Sequence, residues 1–458
     1  MKRKEKSKIL LINPSQFYAY LHRRPSISIP LGLIYIYRAL KDDWQTNFLD
    51  CIGDKDVEIG TYLDDSETVK RKEGYYIGLS YDQIEEKLKT MERPEFVGIS
   101  NSFFSTTFQT SKRIARILKK IWPESKIIMG CSGMLSLEEV DYSEFDYLIF
   151  GEGEEDIRNI VENLPAEKIQ RNQTFSKYGC FDDELCLDLI NFEKYFEHNM
   201  AGMASRFSYE FNAASFITSR GCPFKCSFCI ISLYAGRGWR PHSLDFLMNL
   251  AARYKEHGVK HLYIEDDNFT LDVKRYIEII KGFKRLGLSW DPSNGMIVEK
   301  FDKKTLEVTK ENNCTQIKVA PESGSEWVLR EVIGKKVSLE KIKQVIRWAY
   351  EFDLPVVGFL VIGFPQEKKD DVKKTLDFAL EYKEKYGVRW TVCYANPLPG
   401  TQLYEYCKQN NLLINNSFQT IFSSCYKEVY NIRHKDLSLE YLREVKDKVQ
   451  SKFITIKK

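Results

Sequence analysis

Strands and helices alternate along this chain in two separate runs, and that rhythm constrains the fold more than any single residue does. In the first run, short apolar segments fall at 8–12, 46–49, 96–100, 126–130 and 147–150, with helical patterns near 31–41, 110–120 and 154–163. Returning to the same sheet through a helix builds a parallel sheet covered on both faces. Five strands suit the flavodoxin-like order 2-1-3-4-5, which binds ligands at the carboxyl ends of its strands. The residues at those ends are Asn13-Pro14, Asp50-Cys51, Ser100-Asn101, Gly130 to Gly133, and Gly151-Glu152-Gly153-Glu154. Several are glycine, which lets the backbone approach a large flat ligand. The connection 52–94 is unusually long and carries a charged helix around 81–91; loops of that size are often functional or mobile.

The second run begins at Ala214. Strands are expected at 214–219, 261–265, 288–291, 315–320, 356–362 and 389–394, with helices near 244–257, 273–286, 303–312, 339–352 and 370–386. Between the runs, 166–211 is polar, aromatic and without a clear period, and reads as a linker. Past 418 a small helical cap is expected, with its main helix at 437–453. The division is therefore 1–165, 166–211, 212–417 and 418–458.

The densest chemistry sits at the start of the second run, where Cys222, Cys226 and Cys229 are spaced C-x3-C-x2-C. A closed iron–sulfur site usually takes four cysteines, so three thiolates on a four-iron cluster leave one iron open. An open position separates a reactive metal site from a structural one. Short cysteine spacings also serve zinc, and His242 is the next available ligand, so spacing alone leaves a structural metal in play. Cys51, Cys131, Cys180, Cys186, Cys314, Cys393, Cys407 and Cys425 read as reduced thiols.

The three cysteines, with Phe228 immediately before the last, resemble the radical S-adenosylmethionine (radical SAM) family. In that family the open iron chelates the amino and carboxylate groups of SAM, and reduction releases a 5′-deoxyadenosyl radical. The resemblance runs from about 214 to 412 and implies a partial (β/α)6 barrel with its reactive groups at the strand ends. It implies SAM contacts at Phe228, against the adenine, and at an acid after the second strand. That stretch reads Glu265-Asp266-Asp267-Asn268 in place of the family's Gly-Gly-Glu, and Glu265 and Asp266 are the candidates; an acidic helix start is the bland alternative. Pro321-Glu322-Ser323-Gly324 resembles the family's Glu-x-Gly and nominates Glu322. The stretch from Gly358 to Gly363-Phe364-Pro365 matches the fifth-strand motif, whose glycines admit the adenine.

The first run resembles the cobalamin-binding domain that precedes many radical SAM domains. The resemblance implies cobalamin contacts at Asn13, Ser100, Asn101, Gly130, Gly133, Gly151, Glu152 and Gly153. The D-x-H-x-x-G motif and a histidine after the fourth strand are both absent, so cobalamin would be held without histidine from either place. The alternative is a degenerate Rossmann-like domain that only packs on the barrel.

Together these resemblances imply a cobalamin-dependent (class B) radical SAM enzyme of α/β fold, with a [4Fe-4S] cluster, SAM and cobalamin. In that class a methyl group passes from methylcobalamin to an unactivated carbon or phosphorus centre after hydrogen abstraction. Relatives in the same class cyclise or rearrange without methyl transfer. A tRNA methylthiotransferase shares the barrel, but it carries three further cluster cysteines at its N-terminus, whereas only Cys51 and Cys131 precede Cys180 here. A non-catalytic corrinoid or cluster sensor is the remaining alternative. No residue is nominated as a catalytic acid or base. The implied partners are an electron donor such as flavodoxin or ferredoxin and a small-molecule, lipid or peptide substrate.

Composition narrows this further. A formal charge of +3 on 458 residues gives no global field for nucleic acid. No apolar run reaches about 18 residues, so no membrane span is expected. The apolar stretch 9–12 is too short for a signal peptide, which points to the cytoplasm.

Overall fold

The structure, a computed structural model, describes residues 8–19, 28–57, 74–101, 107–131, 141–171, 184–201, 212–414 and 430–450. Gly133, Cys180 and Cys425 lie outside the described residues.

The first strand, β1 (Lys8–Asn13), explains the first sheet. Ile9, Leu10, Leu11 and Ile12 are all buried, as an interior parallel strand covered on both faces requires. It pairs in parallel with β2 (Gln45–Asp50) on one side and β3 (Phe96–Asn101) on the other. The sheet continues through β4 (Lys126–Cys131) and β5 (Tyr147–Phe150), giving the expected order 2-1-3-4-5. It has six strands rather than five, because β6 (Ile169–Arg171) adds in parallel to β5. Its sequence, Ile-Gln-Arg, has one apolar residue and no period to read. Helices Leu31–Leu40, Phe108–Ile121 and Glu154–Asn163 cover the faces. Helix Tyr81–Thr90 lies in the long connection, started by a Ser80/Gln83 capping box.

The stretch read as an irregular linker is not all irregular. Besides β6 it contains helix Phe192–Ala201. Phe192 and Tyr195, three apart, bury one side of this helix. Ten residues of mixed aromatic and charged character were too short a window to show that period.

The second unit has strands β7 (Ala213–Phe216), β8 (His261–Ile264), β9 (Ser289–Pro292), β10 (Ile317–Glu322), β11 (Val356–Ile362) and β12 (Arg389–Tyr394). They pair in parallel in two groups of three. Parallel bridges Trp290–Cys314 and Met296–Val319 join β9 to β10. The result is the six-unit open barrel expected from the second run. Ser243, Asp272, Asp302 and Ser338 each accept a backbone N–H and start the four helices that follow β7 to β10. Helix Lys369–Tyr386 follows β11, and helix Leu439–Gln450 packs beside β12 as the C-terminal cap. Among the described residues no helix is long and apolar enough to cross a membrane.

Alternation along β11 sets the surroundings of Gly358. Gly358 pairs with Trp390, and a Cβ at Gly358 would overlap the Trp390 ring. That ring packs on Phe378 of the covering helix, with centroids 5.3 Å apart. Gly358 therefore faces the helix layer and makes room there for tryptophan. Gly358→Ala should overpack this layer and cost about 1–3 kcal/mol, read as a lower urea midpoint. Gly358→Ala combined with Trp390→Leu should recover part of that loss.

Candidate active site

The carboxyl ends of the two sheets face one another across a cavity of about 510 Å³. From the first sheet it is lined by Asn13, Ser100, Asn101, Gly130, Gly151, Glu152 and Gly153, and from the barrel by Ser215, Ile217, Glu265 and Asp267. All the described residues nominated for cobalamin are thus brought to one space. Much of the wall is apolar, including Leu31, Ile36, Ile128 and Ile149. A Cβ at Gly130 or Gly32 would meet no atom within 4 Å, so the backbone there faces open space. A broad, mostly apolar slot floored by bare backbone fits a corrin ring. Among the described residues that line it there is no histidine.

Not every nominated side chain is free to touch a ligand. Asn13 donates to Asp50 at 2.7 Å and to Tyr195 at 3.1 Å, and Tyr195 donates to Asp50 at 2.9 Å. Burial raises the Asp50 pKa against these hydrogen bonds. This trio ties the first sheet to helix Phe192–Ala201. Asn101 accepts from Thr107 at 2.5 Å. Glu152 is bound by Arg240. Gly151 has φ +98°, and a Cβ there would stand 2.7 Å from the Tyr234 carbonyl oxygen. It is glycine because the chain after the cysteines abuts it.

The cysteine loop follows β7 and a two-residue hairpin strand at Ser219–Arg220. It is held from several distant places. Ser227 N–H donates to Ile333 at the end of the π-helix Val328–Ile333 at 2.8 Å, and Leu403 N–H donates to Ser227 at 2.9 Å. Asn268 Nδ2 lies 3.3 Å from the Cys222 sulfur. Burial pushes up all three thiols, Cys229 to about 12. The Lys335 ammonium opposes this at Cys226. Among the described residues no three His, Cys, Asp or Glu side chains are grouped to hold one metal ion. A tetrahedral ion needs its ligands around one point, whereas a four-iron cluster spreads three thiolates over three irons. Three thiolates spaced C-x3-C-x2-C are a donor set for a four-iron cluster with one iron left open.

Around the loop, Phe228 is half-buried with its ring 5.9 Å from Phe364, so the third-cysteine aromatic meets the end of β11. Glu322 sits at a bulge of β10 with φ +62°, a strained conformation for glutamate. Lys335 donates to Glu322 at 2.8 Å and to the Ala320 carbonyl at 2.6 Å. Gly363 has φ +88° and lies beneath Tyr430, which donates to its carbonyl at 2.7 Å. The Gly363 and Phe364 N–H groups both donate to Glu367, at 2.6 and 3.1 Å. Gly363 thus forms a turn under the C-terminal cap.

The acids after β8 divide by environment. Glu265 lines the cavity and accepts from Ser215 at 3.3 Å; burial raises its pKa, while Ser293 and the Lys318 ammonium work against that. Asp266 points elsewhere. It accepts from Thr218 N–H, Thr218 Oγ1 and Ser219 Oγ, each at 2.6 Å, and has no share of the cavity. Asp267 does line the cavity, accepts from Gly221 N–H at 3.0 Å, and has a 3.5 Å contact from Tyr234. Sequence reading missed Asp267, Asn268, Arg220 and Lys335. Asp267 and Asn268 were visible as neighbours of the favoured acids, but Lys335 had no motif to mark it.

Burial pushes the Asp266 pKa up to about 7 from 3.8. The fold thus keeps a proton that the unfolded chain releases near 3.8. The stabilisation from this proton is complete below the unfolded value and is lost as pH rises through about 7. Asp266→Asn should remove that loss: between the two pH values its urea midpoint should fall less than that of the wild type.

Residues 216–379 match the radical SAM superfamily model. An uncharacterized methyltransferase of Pyrococcus horikoshii is 28% identical over 89% of this chain and 84% of its own length. Cytidylyl-2-hydroxyethylphosphonate methyltransferase of Streptomyces wedmorensis is 25% identical over 92% of this chain and 85% of its own. The structure of the radical S-adenosylmethionine methyltransferase TsrM from Kitasatospora setae, with cobalamin and a [4Fe-4S] cluster bound, matches with a TM-score of 0.66. The two share 13% identity, over 97% of this chain and 85% of that one.

Proposed function

We infer that this chain belongs to the radical SAM superfamily, in its cobalamin-dependent branch, and is a methyltransferase acting on an unactivated carbon or phosphorus centre. The observation that carries this reading is the shared cavity: residues of both sheets line one space, and Asp267, which binds the backbone just before Cys222, is among them.

In this reading Cys222, Cys226 and Cys229 hold a [4Fe-4S] cluster with one iron open to SAM. Bound there, such a cluster would supply the electron that cleaves SAM, and a corrinoid would supply the methyl carrier. The chain's own residues bind, orient and exclude. Asp267 receives the SAM ammonium by a charge-assisted hydrogen bond, in place of the saturated Asp266. Glu265 faces the substrate side of the cavity. Lys335 holds Glu322 in its strained position beside Cys226. Phe228 and Phe364 wall the adenine, while Gly358 and Gly363 serve packing and turn. Gly130 and its apolar neighbours seat the corrin ring, and the enclosed space keeps water and stray hydrogen donors from a radical. We place the enzyme in the cytoplasm, reduced by a flavodoxin or ferredoxin, with a small-molecule, lipid or peptide substrate.

Anaerobic reconstitution should give about four irons per chain, lost in Cys226→Ala, and the protein should retain added hydroxocobalamin. Incubation with SAM and dithionite should release both 5′-deoxyadenosine and S-adenosylhomocysteine. Bound zinc, or no retained corrinoid, would sink the reading; deoxyadenosine without S-adenosylhomocysteine would favour a cyclase or rearranging enzyme. In equilibrium binding, Asp267→Asn should weaken SAM affinity about 10- to 100-fold, whereas Asp266→Asn should leave it near wild type.

A further inference from the structure

Between the cavity and the cysteine loop lies a cluster of four charged side chains from both units. Arg220 and Arg240 are paired across the short antiparallel hairpin that leads into and out of the loop. Arg220 donates to Glu154 at 2.7 Å and lies 3.5 Å from Glu152. Arg240 grips Glu152 with two nitrogens and donates to the Ala235 carbonyl at 2.9 Å. The Arg220 guanidinium also lies over the Tyr35 ring, 4.4 Å from its centroid. Arg220 and Glu154 are only 12% and 7% exposed, unlike a surface pair such as Arg38–Asp42, where the aspartate is 66% exposed. Planar two-pronged contacts of this kind fix direction as well as distance.

The placement is asymmetric in a useful way. Both glutamates belong to the turn after β5, beside the bare backbone of Gly151 and Gly153 that lines the cavity. Both arginines belong to the barrel and bracket the cysteine loop, Arg220 two residues before Cys222 and Arg240 beyond Tyr234. We propose that this quartet is a strut that sets the cysteine loop at a fixed distance and angle from the cobalamin cavity. Arg220 and Glu154 are then positioning residues for a reaction shared by two cofactors. The inference rests on the two-cofactor reading above.

Holoprotein carrying iron, sulfide and hydroxocobalamin can be reduced with dithionite until cluster and cobalt both hold unpaired electrons. Their magnetic interaction then reports distance and orientation without any substrate. Glu154→Gln should keep iron and corrinoid content at wild-type levels while weakening and broadening that interaction. Its release of S-adenosylhomocysteine should fall about 100-fold, the cost of a misplacement near 1 Å. That release needs a methyl group to leave the SAM sulfur, which keeps the bonding pair, and to reach corrinoid reduced by one further electron to cobalt(I), whose own electron pair forms the new cobalt–carbon bond. Release of 5′-deoxyadenosine needs only the barrel and should hold. Arg220→Lys, which keeps charge but loses the fork, should be intermediate in both readouts. A wild-type magnetic interaction in both variants would overturn the strut, as would loss of the cluster in both, since the quartet would then be folding the loop. If the wild type itself released neither nucleoside, the reading of the reaction would fall, while the magnetic measurement would still decide the strut.

Discussion

Everything at the site depends on two parallel sheets being packed with their carboxyl ends toward one another. One apolar cluster spans both units, beside two others that lie mainly on the faces of the first sheet. It runs from Leu31, Ile34 and Tyr35 of the first unit, through Leu187, Phe192 and Tyr195 of the connection, to Phe216, Leu247 and Tyr254 of the barrel. Burying such side chains is worth about 1.5–3 kcal/mol each, enough to hold the units together despite the polar groups trapped at the junction. The connection therefore acts as a wedge, and the Asn13–Asp50–Tyr195 hydrogen bonds fix its angle.

That packing imposes a condition on every charged group at the junction, because a buried charge must be paired or neutralised. Glu152 and Glu154 meet the condition with arginines, and Glu322 with Lys335. Asp266 meets it with three hydrogen bonds, although burial still pushes it toward its neutral form. Lower in the barrel, Asp291 stays ionised because His261 at 3.2 Å and Lys318 at 3.1 Å flank it, against the burial that would raise its pKa. Asp267 is less fully served. A carboxylate with spare accepting capacity in a cavity wall is where a cationic ligand group is best received.

Much of the architecture was legible because it rests on local period. The order of β1 to β5, the six barrel strands and the helices between them follow from the alternation of strand and helix patterns. The motifs told where the chemistry lies, and less about what each residue does there. Gly358 and Gly363 read as openings for an adenine, yet one accommodates Trp390 and the other turns beneath Tyr430. The Gly151–Gly153 turn read as a corrinoid contact, and within it the Glu152 carboxylate is taken by Arg240. Such roles depend on partners at 60 to 90 positions' remove, as in Arg220–Glu154 and Arg240–Glu152, and no local pattern carries that. Residue type marked the place, and three-dimensional pairing assigned the task.

The cavity's two walls differ in chemistry, and the difference orients its contents. On the first-sheet side it offers glycine backbone and branched aliphatic side chains, with the Glu152 and Glu154 carboxylates already paired to arginines, a surface that suits a broad, flat face. On the barrel side it offers the carboxylates of Glu265 and Asp267 with the cysteine loop behind them. A cationic, amino-acid-bearing ligand is drawn to the second wall by charge, and a large macrocycle to the first by area. Neither ligand gains by exchanging places, because an ammonium against Ile128 and Ile149 would lose its water without a partner.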